Sequence, residues 1–125
     1  MKQQNTQSVG ALGEDLACRF LVKKGFEICD RNYRKKYGEI DIIAKKHGRL
    51  CFVEVKSALR NIGEDEEYRP EEKVHRQKLR RLSRAIETYL LEKSKLHENW
   101  DFLVLVVFIN KEDRSAIVKC IEDVV

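Results

Sequence analysis

The stretch WDFLVLVVFI, residues 100 to 109, constrains the fold more than any other part of this chain. After Asp101 the apolar run is unbroken, so both alternating faces of a strand built from it are apolar. Such a strand has to be covered on both sides, which predicts a buried, central strand in a sheet with further layers packed against it.

The rest of the chain supplies those layers. Residues 8–24 read as a helix, because Val9, Leu12, Leu16, Phe20 and Leu21 recur at helical spacing and Gly25 provides the stop. Phe26 and Ile28 in FEICDRNYR predict a first strand, and residues 38–56, GEIDIIAKKHGRLCFVEVK, predict a β-hairpin turning at His47-Gly48. Residues 57–72 are polar, hold the one proline and predict a mobile loop. A second helix follows over residues 73–95. After the apolar strand, SAIVKCIEDVV ends the chain as a strand, or as a strand plus a short helix. The order α-β-β-β-α-β-β predicts an α/β (mixed α+β) fold with helices flanking a sheet.

A chain of 125 residues suits one compact domain spanning residues 1–125. No run approaches the ~18 apolar residues of a membrane span, and MKQQNTQSVG lacks the apolar core of a signal peptide. The expectation is a soluble, cytoplasmic protein with no membrane partner. Charged residues make up 37% of the sequence, so most of the surface must be charged, yet a net charge of +4 is too mild to name a partner. Cys18, Cys29, Cys51 and Cys120 are scattered and form no Cys-x-x-Cys pair, which predicts reduced core residues rather than a zinc site. His47, His75 and His97 are scattered too.

The hairpin carries acids where an ordinary one would not. With His47-Gly48 as a two-residue turn, opposed residues have numbers summing to 95, so Asp41 faces Glu54 and Glu39 faces Lys56. Alternation then sends all four from one face. Opposed Cβ atoms lie ~4.5–5.5 Å apart, and like charges there repel. Two carboxylates so close need a cation between them or a shifted pKa, and oxygen-only ligands suit Mg²⁺ or Mn²⁺. An exposed strand edge with alternating Glu and Lys is the bland alternative. The apolar neighbours Ile40, Ile42, Ile43, Val53 and Val55 argue against it, since they imply burial.

Both helices add candidates. Glu14 falls at the edge of the first helix's apolar stripe, and its neighbours Gly10 and Gly13 are residues that often mark a close backbone approach. In the second helix Lys73, Arg76, Arg80, Arg81 and Arg84 share a basic face, as a nucleic-acid docking surface or a solvated helix face would require. Lys78 lies on the apolar side of that helix, where it either turns inward to the acids or snorkels to solvent.

An acid on the first helix followed by Asp-x12-Glu-x-Lys across a hairpin resembles the PD-(D/E)XK nuclease superfamily. The words GALGEDLA (10–17), RNYR (31–34), GEIDIIA (38–44), FVEVK (52–56) and VHRQKLRRLSRAIETYL (74–90) resemble the YraN-like family of uncharacterised bacterial proteins, which look like archaeal Holliday junction resolvases. The resemblance implies a restriction-endonuclease-like core and Mg²⁺ or Mn²⁺ held by Asp41, Glu54 and the backbone carbonyl of Val55. It also implies Glu14 joining through a water or a second metal, and Lys56 positioning or activating the attacking water. The family often continues after the lysine with Thr-Arg; this chain has Ser57-Ala58, which leaves Arg60 as the substitute phosphate contact.

The expected function is therefore a Mg²⁺-dependent endonuclease acting on duplex or branched DNA, with both acids on the face covered by Glu14. A non-catalytic nucleic-acid-binding or adaptor protein and an RNA nuclease are the alternatives. A homodimer is compatible with any of the three.

Overall fold

The computed structural model describes residues 8–36, 38–61, 76–95 and 98–121, with the backbone alone at residues 76–79. The elements are α1 (Val9–Lys23), β1 (Glu27–Lys35), β2 (Gly38–Lys46), β3 (Arg49–Arg60), α2 (Arg76–Glu92), β4 (Trp100–Asn110) and β5 (Ala116–Ile121). The five strands form one sheet in sequence order. β1–β2, β2–β3 and β4–β5 pair antiparallel, whereas β3 and β4 pair parallel. The single crossover that parallel pairing requires contains α2.

Local chemistry explains the ends of these elements. The Ala11 N–H donates to Ser8 Oγ at 3.1 Å, capping α1, and Gly25 follows the helix at φ 97°, a conformation that costs glycine little. His47 at φ 52° and Gly48 at φ 76° give both turn residues the positive φ of a type I′ hairpin. That turn sets the register, and every pair from Lys46–Arg49 to Ile42–Val53 follows the expected rule.

β4 is an interior strand, as its apolar run requires, with residues 104 to 109 buried. α1 covers one face, where Ala17 and Leu21 pack with Ile42, Val53 and Leu105. α2 covers the other, where Ile86 and Tyr89 pack with Tyr33, Ile40 and Phe52. The Tyr89 ring meets Tyr33 and Phe52 edge-on, with centroids 5.2 and 5.8 Å apart. Each such pair adds ~0.5–1.5 kcal/mol beyond burial, which fixes α2 over the β1–β2–β3 half of the sheet. No helix among the described residues is long and apolar enough to cross a membrane.

Several expectations change here. Residues 57–60 belong to β3, not to a loop, because Ser57 through Arg60 pair with Val107 through Asn110 of β4. Their polarity misleads because main-chain pairing with an apolar neighbour holds them in place; the remainder of the expected loop, 62–72, lies outside the described residues. The cysteines are all free, yet only Cys51 is buried, Cys18 is intermediate, and Cys29 and Cys120 are exposed. Cys29 and Cys120 lie on β1 and β5, the edge strands of the sheet among the described residues. A Cβ at Gly13 would collide with the Ser57 side chain, so Gly13 does mark a close approach, whereas Gly10 faces open space.

Candidate metal centre at a strand fork

Beyond Ile42–Val53 the β2–β3 ladder stops. β2 stays with β1 as far as Gly38–Lys35, and β3 stays with β4 as far as Arg60–Asn110. The two inner strands therefore part like a fork, and Asp41 and Glu54 sit at its base, one residue past the last pair. In a continued ladder the Val55 N–H would bond to the Ile40 carbonyl. Here it donates to Asp41 Oδ2 at 2.8 Å. A side-chain carboxylate has replaced a main-chain acceptor.

The fork opens into a cleft of about 1030 Å³. Glu39 and Asp41 enter from β2, Glu54, Val55 and Lys56 from β3, and Arg81 and Arg84 from α2. The four residues expected to share a face do line one cleft. Gly38 makes the α2 wall possible, because a Cβ there would come to 2.5 Å of the Arg81 carbonyl oxygen. The start of β2 can thus pass directly under α2.

Charge is poorly balanced inside. Lys56 Nζ lies 3.1 Å from Glu54 Oε2, whose side chain is only 12% exposed. Among the described residues no lysine or arginine forms an ion pair with Asp41. Burial pushes the Asp41 carboxyl up to about 6, the charges of Glu14, Glu54 and Glu39 push it the same way, and the Val55 N–H opposes them. Such a carboxylate is at high energy near neutral pH and would gain from an added cation.

Glu14 stands on α1, which packs on the other face of the sheet from α2, and it is not among the residues lining the cleft. Its charge still reaches Asp41. Its carboxylate lies 3.9 Å from Arg31 Nη2, which donates to Asp15 Oδ1 at 2.9 Å.

Among the basic residues of α2, Arg81 and Arg84 line the cleft and Arg80 is exposed outside it. Lys73 and the side chains of Arg76 and Lys78 lie outside the described residues. Arg60 does not line the cleft; its Nε donates to Asn110 Oδ1 at 2.9 Å and its guanidinium stacks 5.8 Å from the Phe108 ring centre. Sequence reasoning missed Arg34, Lys35 and Lys36, which rim the cleft from the end of β1. The run RKK directly before the acid strand was the available signal. Arg34 Nε lies 3.0 Å from Glu39 Oε1, and Lys35 Nζ lies 2.9 Å from Glu92 Oε2.

Whether this donor set fits a metal is a question of chemistry. Two carboxylates and a neighbouring main-chain carbonyl are hard oxygen donors of the kind Mg²⁺ and Mn²⁺ accept, with waters or phosphate oxygens filling the remaining positions. They do not form a closed protein cage: no three His, Cys, Asp or Glu side chains among the described residues converge on a metal-holding position. The fit is to a weakly held hard cation.

Comparison with known proteins adds a family. The sequence model of the uncharacterised protein family UPF0102 matches residues 13–116. A UPF0102 protein of Campylobacter jejuni subsp. doylei is 48% identical over 83 residues, covering 66% of this chain and 69% of its own. One from Thermotoga neapolitana is 48% identical over 80 residues, with 64% and 69% covered. One from Campylobacter lari is 41% identical over 99 residues, with 79% and 82% covered. The matched span contains the whole fork.

Proposed function

The chain belongs to the UPF0102 family, whose names carry no activity, and from the fork we propose that it is a Mg²⁺- or Mn²⁺-dependent endonuclease of the PD-(D/E)XK type. Its substrate would be duplex or branched DNA. The observation that carries this reading is the fork: two opposed-strand acids, one of them raised in pKa and, among the described residues, without an ion-pair partner, inside a cleft rimmed by arginine and lysine. A binding surface for polyanions has no use for clustered acids at its centre. A centre that hydrolyses a phosphodiester needs both.

In this reading Asp41, Glu54 and the Val55 carbonyl would hold the ion. A bound hard cation neutralises the phosphate and lowers the pKa of a coordinated water. Lys56, 3.1 Å from Glu54, hydrogen-bonds the attacking water or a phosphate oxygen. Arg81, Arg84 and Lys36 contact the flanking phosphates, and their contribution falls as salt rises. Glu14, from the other layer, adds the negative field that strengthens cation binding.

The test is cleavage of junction, flap, duplex and single-stranded DNA by the purified protein with Mg²⁺ or Mn²⁺. Cleavage lost in Asp41→Asn and Glu54→Gln supports the reading. One observation favours the non-catalytic alternative, namely that among the described residues no three acids converge as a closed metal set. If both variants bind DNA as the parent does and none of the three proteins cuts any substrate, the chain is a binding protein. RNA joins the substrate panel for the same reason.

A further inference from the structure

β1 and β2 change faces at a single rung. Residues two apart on a strand normally share a face. Ile42 packs in the core under α1, whereas Ile40 packs in the core under α2. β1 does the same: Arg31 donates to Asp15 of α1, and Tyr33 donates to Glu92 at the end of α2. Arg31–Ile42 and Tyr33–Ile40 are both paired and keep one offset, so the register survives the switch. Among the described pairs, the rung between them, Asn32 and Asp41, is missing. At that rung Asn32 has φ 51°, a left-handed conformation in the middle of a strand.

We infer that Asn32 is a positioning residue for Asp41: its left-handed backbone reverses the face of both strands in step and so turns the Asp41 carboxylate sideways into the fork. With Ile40 on one face and Ile42 on the other, Asp41 stands at the crossover. From there it reaches along the plane of the sheet to the Val55 amide, 2.8 Å away. Ordinary alternation would hold it squarely above or below the sheet. Asparagine suits the position because its short polar side chain tolerates the left-handed region, which a β-branched residue resists. The significance of this placement rests on the metal-centre reading, but the placement itself does not.

Four variants test it without metal: Asn32→Gly and Asn32→Asp, which accept positive φ, and Asn32→Val and Asn32→Ala, which resist it. The Val55 amide resonance reads the hydrogen bond, with Asp41→Ala marking its loss. We expect Asn32→Val to move that resonance toward the Asp41→Ala position, with Asn32→Ala moving part of the way and Asn32→Gly and Asn32→Asp staying with the parent. Mn²⁺ relaxation titration should show affinity weakened about tenfold or more in Asn32→Val and within about twofold of the parent in Asn32→Gly. If Asn32→Val fails to fold, Asn32→Ala against Asn32→Gly makes the same comparison. A Val55 resonance unchanged in Asn32→Val, or in Asn32→Ala where the valine variant is unfolded, overturns the inference. If the parent binds no Mn²⁺ while the resonance moves as expected, the positioning role stands and the nuclease reading falls.

Discussion

Asp41 is the residue whose physics is most exposed to measurement. Its carboxyl is raised from an ordinary 3.8 to about 6, so the folded chain binds a proton more tightly than the unfolded chain. Stability therefore falls as pH rises from about 4 to about 6, and the full cost is present above the folded value. A shift of this size corresponds to something on the order of 3 kcal/mol. Asp41→Asn keeps an oxygen for the Val55 N–H and removes the charge. The metal-free variant should melt several degrees above the parent at pH 7 and at the same temperature near pH 4, as thermal denaturation followed by circular dichroism would show. Lys56→Met should do the opposite at pH 7, because it removes the cation 3.1 Å from Glu54, one of the acids whose charges raise Asp41. A loss of ~1 kcal/mol is expected, and combining it with Asp41→Asn should recover part of that loss, since the groups share one field. Additive changes would mean that the acids do not interact.

At the scale of elements, the fork depends on how β2 passes under α2. Gly38 is the contact point, with the Arg81 carbonyl 2.5 Å from where a Cβ would stand. Gly38→Ala should push α2 away from the strand and cost ~1–3 kcal/mol, measurable as a shift in the urea midpoint at unchanged slope. The same displacement carries Arg81 and Arg84 away from the acids, so DNA affinity should fall further than the loss of stability explains. An alanine variant as stable as the parent would show that α2 yields freely there. Sequence reading recovered the elements but not this contact. Gly38 reads as an ordinary strand start after RKK, and nothing in its spacing says that a helix some forty residues later lies on it. The strand at Ser57–Arg60 was lost for the same reason: its pairing partner is β4, a long-range neighbour that local polarity does not report.

For the molecule as a whole, a cation and a polyanion should act on one site from two sides. Mn²⁺ or Mg²⁺ should raise the melting temperature of the parent and leave Asp41→Asn unmoved, since an ion that binds only the folded state stabilises it by mass action. Arg81→Ala or Arg84→Ala should make the log–log salt dependence of DNA binding shallower by about one unit each, measured by fluorescence anisotropy. An unchanged slope would remove α2 from the docking surface.

Local information was enough for the helices, the two-residue turn, the hairpin register and the interior strand, because periodicity, turn chemistry and unbroken apolar runs are properties of neighbouring residues. The candidates Asp41, Glu54 and Lys56 were legible too, since a turn of fixed length converts numbering into opposition across a strand pair. The fork was not. It exists because β3 is drawn to β4 beyond Val53 while β2 follows β1, a competition between long-range ladders that no local pattern encodes. Nor was the face reversal at Asn32 and Asp41 legible, where one left-handed residue and its opposed partner override the two-residue period on which strand reading relies.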